Sequence, residues 1–105
     1  MSLPIEIDAN GLRQIQDQNK KAAIIDVRTP FEVASAPAGE TPNIPLNQLP
    51  QYLDQLPDVD HLVILCAHGN RSLMAAHWLR QNGIEGAQSL MGGMASWRRF
   101  EEMAA

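Results

Sequence analysis

Leu62-Val63-Ile64-Leu65-Cys66-Ala67-His68-Gly69-Asn70-Arg71-Ser72 is the stretch that decides how this chain folds. Its first five residues form a β-branched and leucine-rich run, bounded by Asp60-His61 on one side and a turn on the other. Such a run predicts a buried strand at the centre of a sheet. From Ser72 to Asn82 the residues Ala75, Ala76 and Leu79 form one inward stripe, which predicts a helix capped by Ser72 and stopped by Gly83. Strand, short loop and helix thus follow one another directly.

Working outward, Ile5-Glu6-Ile7 reads as a first strand, and Asp8 or Asn10 can cap a helix that buries Leu12 and Ile15. Ala22 to Val27 reads as a second buried strand. Five prolines between Thr29 and Pro50 argue for loops and short turns there, with at most a brief strand at Asn43-Ile44. A short helix is expected from about Leu49 to Leu56, a strand over Ala87 to Met91, and a last helix over Met94 to Met103 after Gly92-Gly93. Apolar runs and helical segments alternate from end to end, which predicts an α/β fold with a mainly parallel sheet.

The 105 residues fit one domain, expected to span 1–105, and 45% hydrophobic with 19% charged residues is the composition of a globular protein. Twelve acidic and eight basic side chains give a net charge of -4, and no basic cluster exceeds the pairs Lys20-Lys21 and Arg98-Arg99. That distribution argues against nucleic acid as a partner, since binding it draws on a concentrated basic face. The longest uncharged apolar stretch, Leu62 to Ala67, falls far short of the roughly 20 residues a membrane helix needs, and a basic-then-apolar leader pattern is missing. A soluble, cytoplasmic protein without a membrane partner is expected.

Cys66 is the only cysteine, so an internal disulfide, a zinc ribbon and a CxxC redox pair are all excluded. Any cysteine chemistry belongs to this one thiol. It stands where a buried strand ends and a helix is about to begin, a place where unpaired backbone N–H groups and the helix dipole favour a negative charge. A free thiol with pKa ~8.5 is only about 3% ionised at pH 7, and a fall of roughly 1.5 units makes it half thiolate. Gly69 allows the loop to turn so that several N–H groups converge on the sulfur, and Arg71 adds a permanent positive charge. A lone cysteine in a strand is more often a small core hydrophobe. A glycine turn, an arginine and a helix start within the next six positions favour the reactive reading.

Cys66 to Ser72, with Ala75, Ala76, Leu79 and Gly83 behind it, resembles the active-site motif of the rhodanese family of sulfurtransferases. Asp26-Val27-Arg28 with Glu32 resembles that family's N-terminal signature, and Leu90 with Gly92-Gly93 and Trp97 its C-terminal one. The three occur in the family's order and span about Ala22 to Arg99. The resemblance implies a rhodanese-like, five-stranded, mainly parallel sheet flanked by helices on both faces, with the cysteine loop at the strands' C-terminal edge. It implies Cys66 as the catalytic nucleophile, which takes a sulfane sulfur from thiosulfate or a similar donor and holds it as a persulfide. A thiol, cyanide or a thioredoxin-like protein then accepts it. Ala67, His68, Gly69, Asn70, Arg71 and Ser72 are the expected substrate-binding residues, Asp26, Arg28 and Glu32 support them, and neither cofactor nor metal is expected. One stretch departs from the family pattern: Ala36-Pro37-Ala38-Gly39-Glu40-Thr41 replaces its Gly-His-Ile-x-Gly-Ala run, which bears on substrate access or partner docking.

Arg28 and Glu32 read as a structural ion pair, and Asp26 at a strand end as a similar local brace. Trp78 and Trp97 read as packing anchors on helices. His61 and His77 lack further ligands at metal spacing. His68 lies inside the loop, where its imidazole can hold an anion, donate a hydrogen bond or face solvent. Two rival functions deserve comparison. A cysteine-dependent phosphatase or arsenate reductase uses a larger loop, with five residues between cysteine and arginine where this chain has four. A rhodanese-like binding or regulatory module that has lost catalysis has no need to retain Cys66 and Arg71.

Overall fold

The computed structural model describes residues 3–104. The chain runs β1 (Glu6–Ile7), α1 (Ala9–Asp17), β2 (Ala22–Asp26), α2 (Pro30–Ser35), a 3₁₀ helix (Leu46–Gln55), β3 (His61–Leu65), α3 (Asn70–Gln81), β4 (Ala87–Leu90) and α4 (Gly93–Ala104). The strands lie in the order β1-β4-β3-β2, all parallel. β3 is interior, as its uninterrupted apolar run requires: it pairs with β2 from Ala22↔His61 to Asp26↔Leu65 and with β4 from Leu62↔Ala87 to Ile64↔Ser89.

Alternation along β3 divides the core in two. Leu62, Ile64 and Cys66 pack with Ala75, Ala76 and Leu79 of α3 and Leu49 of the 3₁₀ helix, whereas Val63 and Leu65 pack with Leu12 of α1, Leu90, and Met94 of α4. Helices therefore cover both faces of the sheet. The cysteine side chain belongs to the α3 face.

Four points correct the sequence reading. The fifth strand is reduced to one parallel bridge, Asp26↔Asn43. Pro42 and Pro45 flank that bridge and cannot donate, so pairing stops at Asp26 N–H to Pro42 O (2.9 Å), Ile44 N–H to Asp26 O (2.9 Å) and Leu46 N–H to Val27 O (3.1 Å). Second, α2 forms where loops were expected, because Thr29 and Glu32 make a reciprocal capping box around Pro30 at the first helical position. Third, the helix expected from Leu49 to Leu56 is a 3₁₀ helix beginning at Leu46, with Pro50 inside it, where α-helical pairing is denied. Fourth, Ser72 is not the cap of α3: the cap position is Gly69, in the left-handed region at φ 102°, and no side chain of its own serves as acceptor. Other ends fall where expected, with Asp8 Oδ1 accepting from Gly11 N–H at 2.7 Å to start α1 and Gly83 at φ 91° after the end of α3.

Candidate active site

The loop between β3 and α3 wraps its own cysteine. Gly69 N–H donates to Cys66 Sγ at 3.0 Å and Ser72 N–H at 3.3 Å. Ser72 is the third residue of α3, and its amide is one that a capping side chain ordinarily accepts. Gly69 has no side chain to offer, so the sulfur takes that place. The left-handed turn at Gly69 makes this possible, and a Cβ there would sit 3.1 Å from Gly92 N.

A hydroxyl pair lies beneath the sulfur. Ser72 Oγ is 3.2 Å from Cys66 Sγ and 2.7 Å from Ser89 Oγ, and it also lies 3.1 Å from Gly69 O. When the sulfur is a thiol it donates to Ser72 Oγ, whose own proton turns to Gly69 O or Ser89. When it is a thiolate, the Ser72 hydroxyl donates to it and Ser89 can donate to Ser72. Ser89 was not legible as a site residue. Its only signal is a small polar residue in a fully buried strand.

These contacts favour the charged form of the sulfur. Burial pushes the Cys66 thiol up, but hydrogen bonds from the Ser72 hydroxyl and from the amides of Ser72, Gly69 and His68 outweigh it, and its pKa lies below the ordinary thiol value. Neutral dipoles thus supply the stabilisation. The loop is held from behind by α4: Met94 N–H donates to Cys66 O at 2.8 Å and Ala95 N–H to Ala67 O at 3.3 Å. Gly93 makes that approach possible, since a Cβ there would collide with Cys66 O and Ala67.

Arg71 forms an ion pair with Glu32. Its Nη1 and Nη2 donate to Glu32 Oε1 and Oε2 at 2.6 and 2.8 Å, a two-pronged pair across the gap between α3 and α2. Hydrogen bonds from Arg71 and then from Thr29 hold the Glu32 carboxyl down at about 2. Glu32 in turn is the main reason the Arg71 pKa is raised, with the charge on Cys66 a smaller contribution.

The expected Arg28–Glu32 pair is therefore exchanged for two others. Arg28 pairs with Asp26, Nη2 to Oδ2 at 2.7 Å and Nε to Oδ1 at 3.0 Å, and the Arg28 amide also donates to Oδ1 at 3.0 Å. Arg28 Nη2 donates further to Ala36 O at 2.9 Å, while Asn43 Nδ2 donates to Asp26 O and Arg28 O, each at 2.9 Å. Asp26 and Arg28 brace the chain between α2 and the 3₁₀ helix and make no hydrogen bond to the sulfur.

Of the other loop residues, Gly69 and Ser72 are buried around the sulfur, Ala67 and Arg71 are half-buried, and the His68 and Asn70 side chains are exposed. Among the described residues no three His, Cys, Asp or Glu side chains cluster as metal ligands, and no helix is long and apolar enough to cross a membrane. The atypical segment lies apart from the cysteine. Pro37, Ala38, Gly39 and Thr41 wall a cavity of about 280 Å³ with Leu65, Trp97 and neighbours on the α1–α4 face of the sheet. Cys66 faces α3, so this hollow does not open on the sulfur.

Residues 8–100 match the family of rhodanese-like domains. A sulfurtransferase from Allochromatium vinosum is 31% identical over 94 residues, which cover 90% of this chain and 88% of that protein. Among solved structures, a rhodanese-related protein from Thermoplasma volcanium superposes with a TM-score of 0.79 at 31% identity, over 92% of this chain and 93% of that one. The human single-domain sulfurtransferase TSTD1 superposes with a TM-score of 0.81 at 25% identity, over 92% and 97%. With a match over most of its length and the same architecture in these relatives, the chain belongs to the rhodanese-like domain family.

Proposed function

We propose that this protein is a sulfurtransferase that carries a sulfane sulfur on Cys66. One observation carries the reading: a single buried cysteine whose sulfur accepts the Gly69 and Ser72 amides at the start of α3, with its thiol pKa lowered. A structural cysteine has no use for that arrangement. The sulfurtransferase names of similar proteins support the same class of reaction.

In the first half-reaction the Cys66 thiolate attacks the outer sulfur of thiosulfate. The new S–S bond to Cys66 forms as the old one breaks, and sulfite leaves with the electron pair. The products carry the same total charge as the reactants, so no proton needs to move. The terminal sulfur of the persulfide is itself an anion, and the dipoles that lower the thiol pKa favour it for the same reason.

In the second half-reaction cyanide or a thiolate attacks that outer sulfur and the Cys66 thiolate departs. Physiological acceptors of this kind include a small thiol or a thioredoxin-like protein in the cytoplasm. The chain has one cysteine, so no internal thiol can release the sulfur as a disulfide and discharge is intermolecular. Ala67, His68, Gly69, Asn70, Arg71 and Ser72 make up the donor-binding loop in this account. The ring is small, with four residues between Cys66 and Arg71, which fits one sulfur atom better than a tetrahedral oxyanion.

Intact-mass measurement tests the assignment. Incubation with thiosulfate adds one sulfur atom to the wild type, cyanide removes it, and Cys66→Ser gains nothing. A mass gain in Cys66→Ser, or none in the wild type over a full donor titration, sinks the reading and leaves a binding module.

A further inference from the structure

The arginine of the proposed donor-binding loop is not free. Both terminal nitrogens of Arg71 are committed to Glu32, one to each carboxylate oxygen, so an incoming anion meets a guanidinium whose paired edge is already filled. Glu32 stays ionised at any working pH, because its carboxyl is held down at about 2. At rest the pair is close to neutral as a unit.

The pair that makes this neutralisation is partly open to solvent. The side chains of Arg71 and Glu32 are 36% and 32% exposed, against 3% and 1% for Arg28 and Asp26. An exposed pair is held only weakly, so another anion can displace one partner. Glu32 also has a second anchorage to return to: its Oε1 accepts from Thr29 N–H and Oγ1, each at 3.1 Å, in the capping box of α2.

We infer that Glu32 is a specificity-determining residue that competes with the sulfur donor for Arg71. It disfavours dianionic donors such as thiosulfate relative to singly charged ones such as thiosulfonates. The inference rests on the sulfurtransferase reading of Cys66. The physical content is that a fixed carboxylate repels a dianion twice as strongly as a monoanion at the same place. Glu32→Gln removes the charge and keeps an acceptor of the capping-box type, so α2 retains its start.

Equilibrium titration calorimetry at low salt separates binding from transfer. Cys66→Ser and the double variant Cys66→Ser, Glu32→Gln are each titrated with thiosulfate and with methanethiosulfonate. The Gln variant is expected to tighten thiosulfate Kd about tenfold and methanethiosulfonate Kd only about threefold, with both gains shrinking as salt rises. Thr29→Ala, which weakens the cap and keeps the charge, is expected to move either Kd less than about twofold. Equal effects on the two anions, no effect, no measurable binding in either protein, or an equal gain in Thr29→Ala overturns the inference. Persulfide loading of the wild type, followed by mass, reports on the sulfurtransferase reading separately. Loading without the Kd pattern removes the role of Glu32 alone. The Kd pattern without loading removes the transfer reaction and leaves the competition for Arg71.

Discussion

Two arginine–carboxylate pairs stand near the C-terminal edge of the sheet, made from the same two side-chain types and put to different uses. Asp26–Arg28 is sealed, with Arg28 Nη2 also donating to Ala36 O and Asp26 Oδ1 also accepting from the Arg28 amide. Glu32–Arg71 bridges two helices beside the cysteine loop and is about one-third exposed. The difference teaches that burial, not bond length, separates a brace from an exchangeable pair: the shortest distances are 2.7 and 2.6 Å. A buried charge stripped of its partner has nowhere to go, whereas water can replace an exposed one.

The largest expected effect breaks the sealed pair. Arg28→Ala leaves Asp26 buried without its partner and should cost about 3–5 kcal/mol, while Arg71→Ala should cost below about 1 kcal/mol. Urea unfolding of both variants checks the contrast. Similar losses for the two erase the distinction drawn between the pairs. Under the proposed sulfurtransferase reading, function should order them the other way: Arg71→Ala is expected to weaken thiosulfate turnover in a well-folded protein, because the proposed donor-binding loop then lacks its cation.

A smaller effect sharpens the comparison through pH. Glu32 has its folded carboxyl at about 2, below the ordinary 4.5, so its pairing contributes stability that is complete above about 4.5 and is lost as pH falls through 2. Solvent screening keeps that contribution below about 1 kcal/mol. Acid unfolding of the wild type and of Glu32→Gln should therefore coincide above pH 5 after a constant offset and converge toward pH 2. An undiminished offset at pH 2 means that the pair carries no such charge-dependent stability.

Much of this was legible in the sequence, for physical reasons that can be named. β3 announced itself because a strand buried on both faces is apolar at every position, and the helix after it because Ala75, Ala76 and Leu79 recur at its spacing. The cysteine loop was legible because a glycine, an arginine and a helix start crowd behind one thiol. What failed was the choice of partners among Asp26, Arg28, Glu32 and Arg71. Nothing local distinguishes Arg28–Glu32 from Asp26–Arg28 with Glu32–Arg71, since the choice depends on how α2 packs beside α3. α2 itself was missed because five prolines outweighed a Thr29-Pro30-Phe31-Glu32 start that carried its own capping box. The cap of α3 was misplaced for a different reason. Ser72 has the right chemistry, but the acceptor that finishes the helix is the sulfur six residues before it.

The central claim is that the Cys66 thiolate is held by loop amides and the Ser72 hydroxyl, with Arg71 engaged by Glu32. The pH dependence of iodoacetamide alkylation in wild type, Arg71→Ala and Ser72→Ala measures it directly, because the rate follows the thiolate fraction. The thiol pKa should lie below its ordinary value in the wild type and stay there in Arg71→Ala. In Ser72→Ala it should rise, because the hydroxyl is the largest of the contributions that lower it. A return to the ordinary thiol value in Arg71→Ala, with Ser72→Ala unchanged, would contradict the account.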